Sequence, residues 1–346
     1  MVQTYHVHIA TQAPGAMGIA RASFDPKSGE LSALETIAST SDPGFLALHP
    51  RGTHLYVANA GTPGGVTSLR IGESASLTQL NFVQSQGRGP SYISVDRSGQ
   101  YLLAANYGGG FIEVLALNLD GSLGAQTAFV QHSGRSVHPE RQTRAYPHWF
   151  ATDPSNQFAI VNDLGTDRVY VYRFEHGKVT PAEPAFVTTK PGSGPRHLAW
   201  HPNGRIAFLI EELSNEITSF AWNGSGELKA LHTVSTLASD FSGTSTAAEI
   251  AVHASGRFLV GSNRGEDSLV VFAIGPDGQL TFRQRISSGG KTPRYFAFDP
   301  THAWLLVTNQ SSENVVLFSV NAESGELRQV AERPLGKPAG VVFVSR

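Results

Sequence analysis

Cysteine is absent from the 346 residues, which excludes a disulfide framework, a thiolate zinc site and a cysteine nucleophile. Charge is scarce: Asp, Glu, Lys and Arg make up 16% of the chain, against ~25% in an average domain. Neither sign dominates, because 26 Lys and Arg stand against 28 Asp and Glu for a net charge of −2. A nucleic-acid sleeve or a polybasic membrane foot needs concentrated positive charge, so neither is expected. Long apolar runs are missing too, and no segment approaches the ~18 residues of a membrane-crossing helix. The first charged residue is Arg21, and MVQTYHVHIATQAPG has no apolar core. The N-terminus therefore does not read as a secretory signal, and a cytoplasmic protein is expected.

What the chain does contain is 36 glycines, 19 prolines and 40% apolar residues. That combination suits a large core with many turns. The chain also repeats itself. PGFLALHPRGTHLYVANA from Pro43 aligns with PSYISVDRSGQYLLAANY from Pro90 and PHWFATDPSNQFAIVNDL from Pro147. PRHLAWHPNGRIAFLIEE from Pro195, AAEIAVHASGRFLVGSNR from Ala247 and PRYFAFDPTHAWLLVTNQ from Pro293 continue the series, and PAGVVFV from Pro338 begins a seventh. Each unit reads as an alternating strand, a tight turn and a second strand ending in Asn or Asp.

A second hairpin signal follows in every unit: PKSGEL (26–31), SASL (74–77), LDGSL (119–123), HGKV (176–179), GSGEL (224–228), GPDGQL (275–280) and ESGEL (323–327). Four strands at a period of ~45–50 residues is the pattern of a β-propeller blade. The seventh unit lacks all but its first strand at the C-terminus. Its missing strands are found at the N-terminus, as YHVHIAT (5–11), GIARASF (18–24) and LSALETIA (31–38). Closing one blade with both chain ends removes open sheet edges. The expectation is all-β: a single seven-bladed propeller domain over residues 1–346, with four-stranded antiparallel blades.

The repeat separates architecture from chemistry. His49, His201, His253, Asp96, Asp153 and Asp299 fill one slot before the tight turn, where a short polar side chain bonds the turn backbone. That recurrence assigns them to the turn and not to a metal. Asn59, Asn106, Asp163, Asn263 and Asn309 end the second strands and are architecture for the same reason. Strand direction puts the residue after each leading Pro and the residue after each terminal Asn on one face, near the axis. The first set is Gly44, Ser91, His148, Arg196, Ala248, Arg294 and Ala339; the second is Ala60, Tyr107, Leu164, Glu212, Arg264 and Gln310. His148, Arg196, Arg294, Glu212 and Arg264 depart from an otherwise small or neutral ring. His197 and Glu249, one step further along, read as structural. Two long linkers, 131–146 with Arg135, His138, Arg141 and Arg144, and 232–246 with Asp240 and Phe241, lie on the same face as possible covers.

Arginines with a histidine favour a substrate carrying phosphate or several carboxylates, which guanidinium binds bidentately. His148 can take a proton from water near neutral pH. Glu212 can protonate a leaving alkoxide or orient the water, and a neighbouring Arg can stabilise an oxyanion. No GxSxG elbow is present, so covalent serine chemistry is not expected. Water addition to an activated ester and proton transfer beside a carboxylate both fit these groups.

The strings NYGGG (106–110), HSGRSVHPERQ (132–142), NDLGTDRVYVYRF (162–174), GSGPRHLAWHPNGR (192–205), EEL (211–213) and SNRGEDSLVVF (262–272) resemble the lactonase propeller family. That family includes enzymes of the 6-phosphogluconolactonase and carboxymuconate-cyclising types. The likeness runs over essentially the whole chain. It implies a seven-bladed fold with no redox cofactor and no metal. It also implies site roles for His148, Arg196, Glu212 and Arg264. Two positions depart from the family pattern: Tyr146-Pro147-His148 stands where His-x-His is usual, and Glu211 replaces an Asn.

The resulting expectation is hydrolysis of a small anionic sugar lactone, 6-phosphogluconolactone of the oxidative pentose phosphate route in particular. His148, Glu212, Arg196 and Arg264 are the expected catalytic groups, with Arg294, Tyr107, Arg144 and Gln310 holding the substrate. A muconate-type lactonising isomerase and a non-catalytic propeller binding module are the alternatives. No nucleic-acid or membrane partner is expected.

Overall fold

A computed structural model describes residues 5–345. Every regular element in it is a strand, apart from one short 3-10 turn at Glu73–Ala75. The strands form seven antiparallel sheets, and the fold is an all-β seven-bladed propeller. Blade 1 consists of Pro43–Leu48, His54–Asn59, Gly65–Ile71 and Leu77–Gln84. Blades 2 to 6 follow in order at residues 92–131, 147–188, 195–235, 246–287 and 293–334. Blade 7 joins Pro338–Ser345 to Tyr5–Thr11, then to Gly18–Asp25. Its innermost strand is therefore C-terminal and the rest N-terminal, with Tyr5 facing Ser345 in the ladder.

Three boundaries differ from the sequence reading. The outer strand expected over 31–38 is broken into Glu30–Leu31 and Glu35–Ser39. At the break, the Ser32 hydroxyl accepts the Ser23 amide and takes the place of a ladder partner. The inner strand of blade 2 begins at Tyr92, two residues after Pro90. The outer strand of blade 4 runs on through Ser235, and blade 5 starts at Thr246, so the linker expected over 232–246 shrinks to 236–245.

By Cα packing the chain divides into two compact units: residues up to Ser39 with Leu198–Ala221 and Ala230 onward, and Thr40–His197 with Trp222–Lys229. Within the second, blades 2 and 3 close on Leu103, Ile112, Val114, Phe150 and Val161, all buried. Within the first, blades 5 and 6 share Phe258, Val260, Phe296, Val307 and Phe318. Burying a side chain such as Phe150 contributes about 1.5–3 kcal/mol, which repeated blade after blade is the main cohesive force. Most of these residues lie on the second and third strands, which are buried almost without interruption, as strands covered on both faces are.

The turn slot joins neighbouring blades as well as closing its own turn. Asp96 accepts the Gln100 and Tyr101 amides at 2.8 Å, Asp153 accepts the Gln157 and Phe158 amides, and Asp299 accepts the Thr301 and Trp304 amides. Where the slot holds His, Nδ1 accepts a turn amide and Nε2 reaches a carbonyl of the next blade. His49 reaches Gly99 at 3.1 Å, His201 reaches Gly256 at 3.0 Å and His253 reaches His302 at 3.1 Å. Each imidazole must be neutral, because Nδ1 is an acceptor.

Burial, before any other cause, holds His253, His302 and His54 below the ordinary value of 6.5. In the unfolded chain these groups take up protons at 6.5; in the folded chain they do so only at lower pH. Their stabilising contribution is therefore complete above 6.5 and lost as pH falls below it. We expect the melting temperature to be level from pH 8 to 7 and to decline from 6.5 to 5. The variant His253→Asp, which the repeat uses in other blades, should melt lower at pH 7.5 but lose less across the acid range. Calorimetric scans of both proteins check this.

Candidate active site

In blades 1, 3 and 6 the residue after the leading Pro sits in a β-bulge. In blade 3, Pro147 faces Asp163 and Trp149 faces Asn162, which leaves His148 as the extra residue. Blade 1 has the same break at Gly44 and blade 6 at Arg294. A bulge turns its extra side chain out of the ladder and into a new direction. The sequence fills that position with Gly in blade 1, imidazole in blade 3 and guanidinium in blade 6.

His148 is 5% exposed, and Arg196, second residue of the Pro195–Trp200 strand, is 2% exposed. Arg196 Nη1 meets His148 Nε2 directly. Guanidinium can only donate, so Nε2 accepts and the imidazole is neutral with its proton on Nδ1. Around this pair lies an aromatic cluster. Tyr107 makes a T-shaped contact with His148 at 5.5 Å and stacks on Tyr146 at 4.7 Å. Arg144 lies over the Tyr146 ring at 5.3 Å and donates from Nη2 to the Gly108 carbonyl at 2.6 Å. The Thr143 hydroxyl, before the neighbouring arginines, holds the Tyr146 phenol below its usual range.

From its place in the repeat, His197 is expected to be structural. Its ring lies 5.1 Å from both His148 and Tyr92 and 6.3 Å from Phe45. Its position follows that of the site residue in its strand, as Phe45, Tyr92 and Trp149 follow Gly44, Ser91 and His148. The repeat offered this signal: three aromatic rings at one position and an imidazole at the fourth.

In the other compact unit, Glu212 follows the Ile206–Glu211 strand and is 2% exposed. Arg264 ends the Phe258–Arg264 strand and pairs from Nη2 with Glu212 Oε2 at 3.0 Å. The same nitrogen donates to the Ala247 carbonyl at 3.0 Å. Arg264 Nε is buried with no hydrogen-bond acceptor among the described residues. Glu211, the residue that departs from the family pattern, accepts the Thr218 hydroxyl at 2.9 Å inside the sheet. Arg294 is half-buried at the blade 6 bulge. Gln310 donates from Nε2 to Gln12 Oε1 at 2.9 Å, a partner the sequence did not suggest. No group of three or more His, Cys, Asp or Glu suited to a metal occurs among the described residues.

The long segment 132–146 is tied down along its length. Gln142 is fully buried and donates to the Leu164 carbonyl at 2.8 Å and to Asp167 at 2.7 Å.

Residues 6–343 match the family described as "Lactonase, 7-bladed beta-propeller". The chain is 35% identical to a 6-phosphogluconolactonase of Bacillus subtilis, with 90% of each chain covered. It is 31% identical to a 6-phosphogluconolactonase of Formosa agariphila over 92% of each. Among solved structures, a periplasmic gluconolactonase of Pseudomonas aeruginosa superposes with a TM-score of 0.93 at 36% identity, covering 99% of both chains.

Proposed function

This chain belongs to the seven-bladed β-propeller lactonases, and from that premise we propose that it opens 6-phosphogluconolactone by adding water. The observation that carries the reading is the neutral, buried imidazole of His148 held against the Arg196 guanidinium. On this reading an anionic group of the substrate engages Arg196 and frees Nε2 for a water molecule. Nε2 takes a proton from the water as its oxygen bonds to the lactone carbonyl carbon. Collapse of the tetrahedral adduct breaks the ring C–O bond, and a proton returned to the ring oxygen completes the hydroxy acid. Guanidinium donors stabilise the oxyanion between these steps.

From the sequence alone, Glu212, ionised beside Arg264, is assigned to orienting water and Arg264 to stabilising an oxyanion. Arg294, Arg144 and Tyr107 are assigned to the substrate, and Gln310 to orienting it. The protein acts in the cytoplasm on this reading, as one catalytic domain. Unphosphorylated gluconolactone is the second reading, favoured by the similarity to the Pseudomonas gluconolactonase.

The test is a substrate series on the wild-type protein: freshly made 6-phosphogluconolactone, glucono-1,5-lactone and a carboxymuconolactone, with spontaneous hydrolysis subtracted. The proposal expects the phosphorylated lactone to have the highest kcat/KM, because phosphate pairs with guanidinium bidentately. Equal or better turnover of the unphosphorylated lactone would shift the assignment to the second reading. Background rates on all three would end both.

A further inference from the structure

Blade 3 departs from the other blades at a second place. In blades 1, 5 and 6 the terminal amide of the second strand fastens the linker leading into or out of the blade. Asn59 donates to the Thr40 hydroxyl at 2.8 Å and to the Ser41 carbonyl at 2.6 Å. Asn263 exchanges two bonds with Thr236, at 2.7 and 2.9 Å. Asn309 donates to the Ser288 carbonyl at 3.0 Å. In blade 3 the amide is replaced by the carboxylate of Asp163 and the small linker residue by His132. Their Oδ2–Nδ1 distance is 2.9 Å, and the side chains are 0% and 1% exposed. His132 Nε2 continues to the Tyr172 hydroxyl at 2.9 Å.

A buried carboxylate has a desolvation cost that a neutral amide avoids. Blades 1 and 6 fasten their linkers through neutral groups alone, so a carboxylate is not required for that. What differs here is the linker itself, the long segment 132–146. Asp163 binds both of its ends: Oδ2 takes His132, and Oδ1 accepts the Tyr146 amide at 2.8 Å and the Gly165 amide at 3.0 Å. Tyr146 stacks on Tyr107 and immediately precedes Pro147, which faces Asp163 across the bulge that holds His148. Gly165 packs close to the same point, since a Cβ there would lie 1.9 Å from the Arg144 carbonyl.

We propose that Asp163 is a positioning residue for the lactone reaction, closing the base of the 132–146 segment and thereby aiming His148 and the Tyr107–Tyr146 stack. This rests on the reading of His148 given above. It assigns no chemistry to Asp163 itself. It also makes the segment a fixed wall of the site, presenting Arg141 and Arg144, and not a lid that opens.

The test compares Asp163→Ala, Asp163→Asn and Asn59→Ala by steady-state kinetics on the best lactone and by thermal melting. Asp163→Asn keeps an oxygen for the two amides and should retain kcat within about threefold. Asp163→Ala should lose kcat about 10–100-fold with KM changed far less. Asn59→Ala removes the equivalent fastening in blade 1 and should lower the melting temperature comparably while leaving kcat within about twofold. Wild-type kcat in Asp163→Ala, or equal losses in the two alanine variants, would overturn the proposal. Amide hydrogen exchange on the wild type reads the clamp without any variant: Tyr146 and Gly165 should be as protected as ladder amides of 158–163, and loop-like exchange would overturn it. A wild type idle on every lactone defeats the functional reading and the positioning role together; a working wild type with unaffected Asp163→Ala defeats the positioning role alone.

Discussion

Replacing His148 by Ala is expected to lower kcat on the lactone by about 10²–10⁴-fold, the usual contribution of a positioned general base. The reasoning starts at the bulge. An ordinary strand residue at 148 would pair with blade 3's second strand, whereas the extra residue is turned aside. His148 is then fixed on one side by the ring of Tyr107 and on another by the ring of His197. Because Arg196 can only donate, Nε2 carries a lone pair, which is the form a base requires. His148→Gln, which keeps an acceptor but cannot take the proton, should be nearly as slow as His148→Ala. Both should retain the wild-type far-ultraviolet circular dichroism spectrum. An active His148→Gln would assign the role to hydrogen bonding alone.

Arg264→Met is expected to destabilise the fold by about 3 kcal/mol, the low end of the cost of breaking a buried ion pair. Arg264 supplies the 3.0 Å contact to a carboxylate that is only 3% exposed in its side chain. Removing it takes the charged donor from a carboxylate that is almost wholly buried. Arg264 also holds the Ala247 carbonyl at the entry to blade 5, so the lost packing adds to the lost charge. The melting temperature should fall by roughly 5 °C or more. The double variant Glu212→Gln/Arg264→Met should recover most of that loss, since a neutral amide needs no counter-charge. Urea unfolding of the three proteins measures it, and equal stability of the single and double variants would show that the pair contributes little.

The period of the chain made the blades readable because each strand, turn and hairpin is local. The split of blade 7 between chain ends was legible for the same reason: the count of strands falls short at one terminus and is made up at the other. The turn slot was legible as to role, but its second half was not. That His49 reaches Gly99 depends on a contact 50 residues away, for which the local pattern carries no sign. Residues 232–235, expected as linker, continue the outer ladder of blade 4 with alternating exposure.

Of the proposed site residues, the departures from the repeat located His148 and Arg196 beside one another and Glu212 beside Arg264. The repeat supplied positions, however, and not register. The bulge that frees His148 is a one-residue slip that composition cannot reveal. The clamp at Asp163 was hidden by the same logic that worked elsewhere. Asp and Asn share the slot, so the carboxylate was grouped with architecture, and only His132 at 2.9 Å distinguishes it.

The account is tested most directly by initial rates of 6-phosphogluconolactone opening at pH 7, measured for wild type and His148→Ala with spontaneous hydrolysis subtracted. A wild-type rate well above background, with His148→Ala lower by about 10²–10⁴-fold, is the predicted result. A wild type at background, or a His148→Ala protein as fast as wild type, would contradict it.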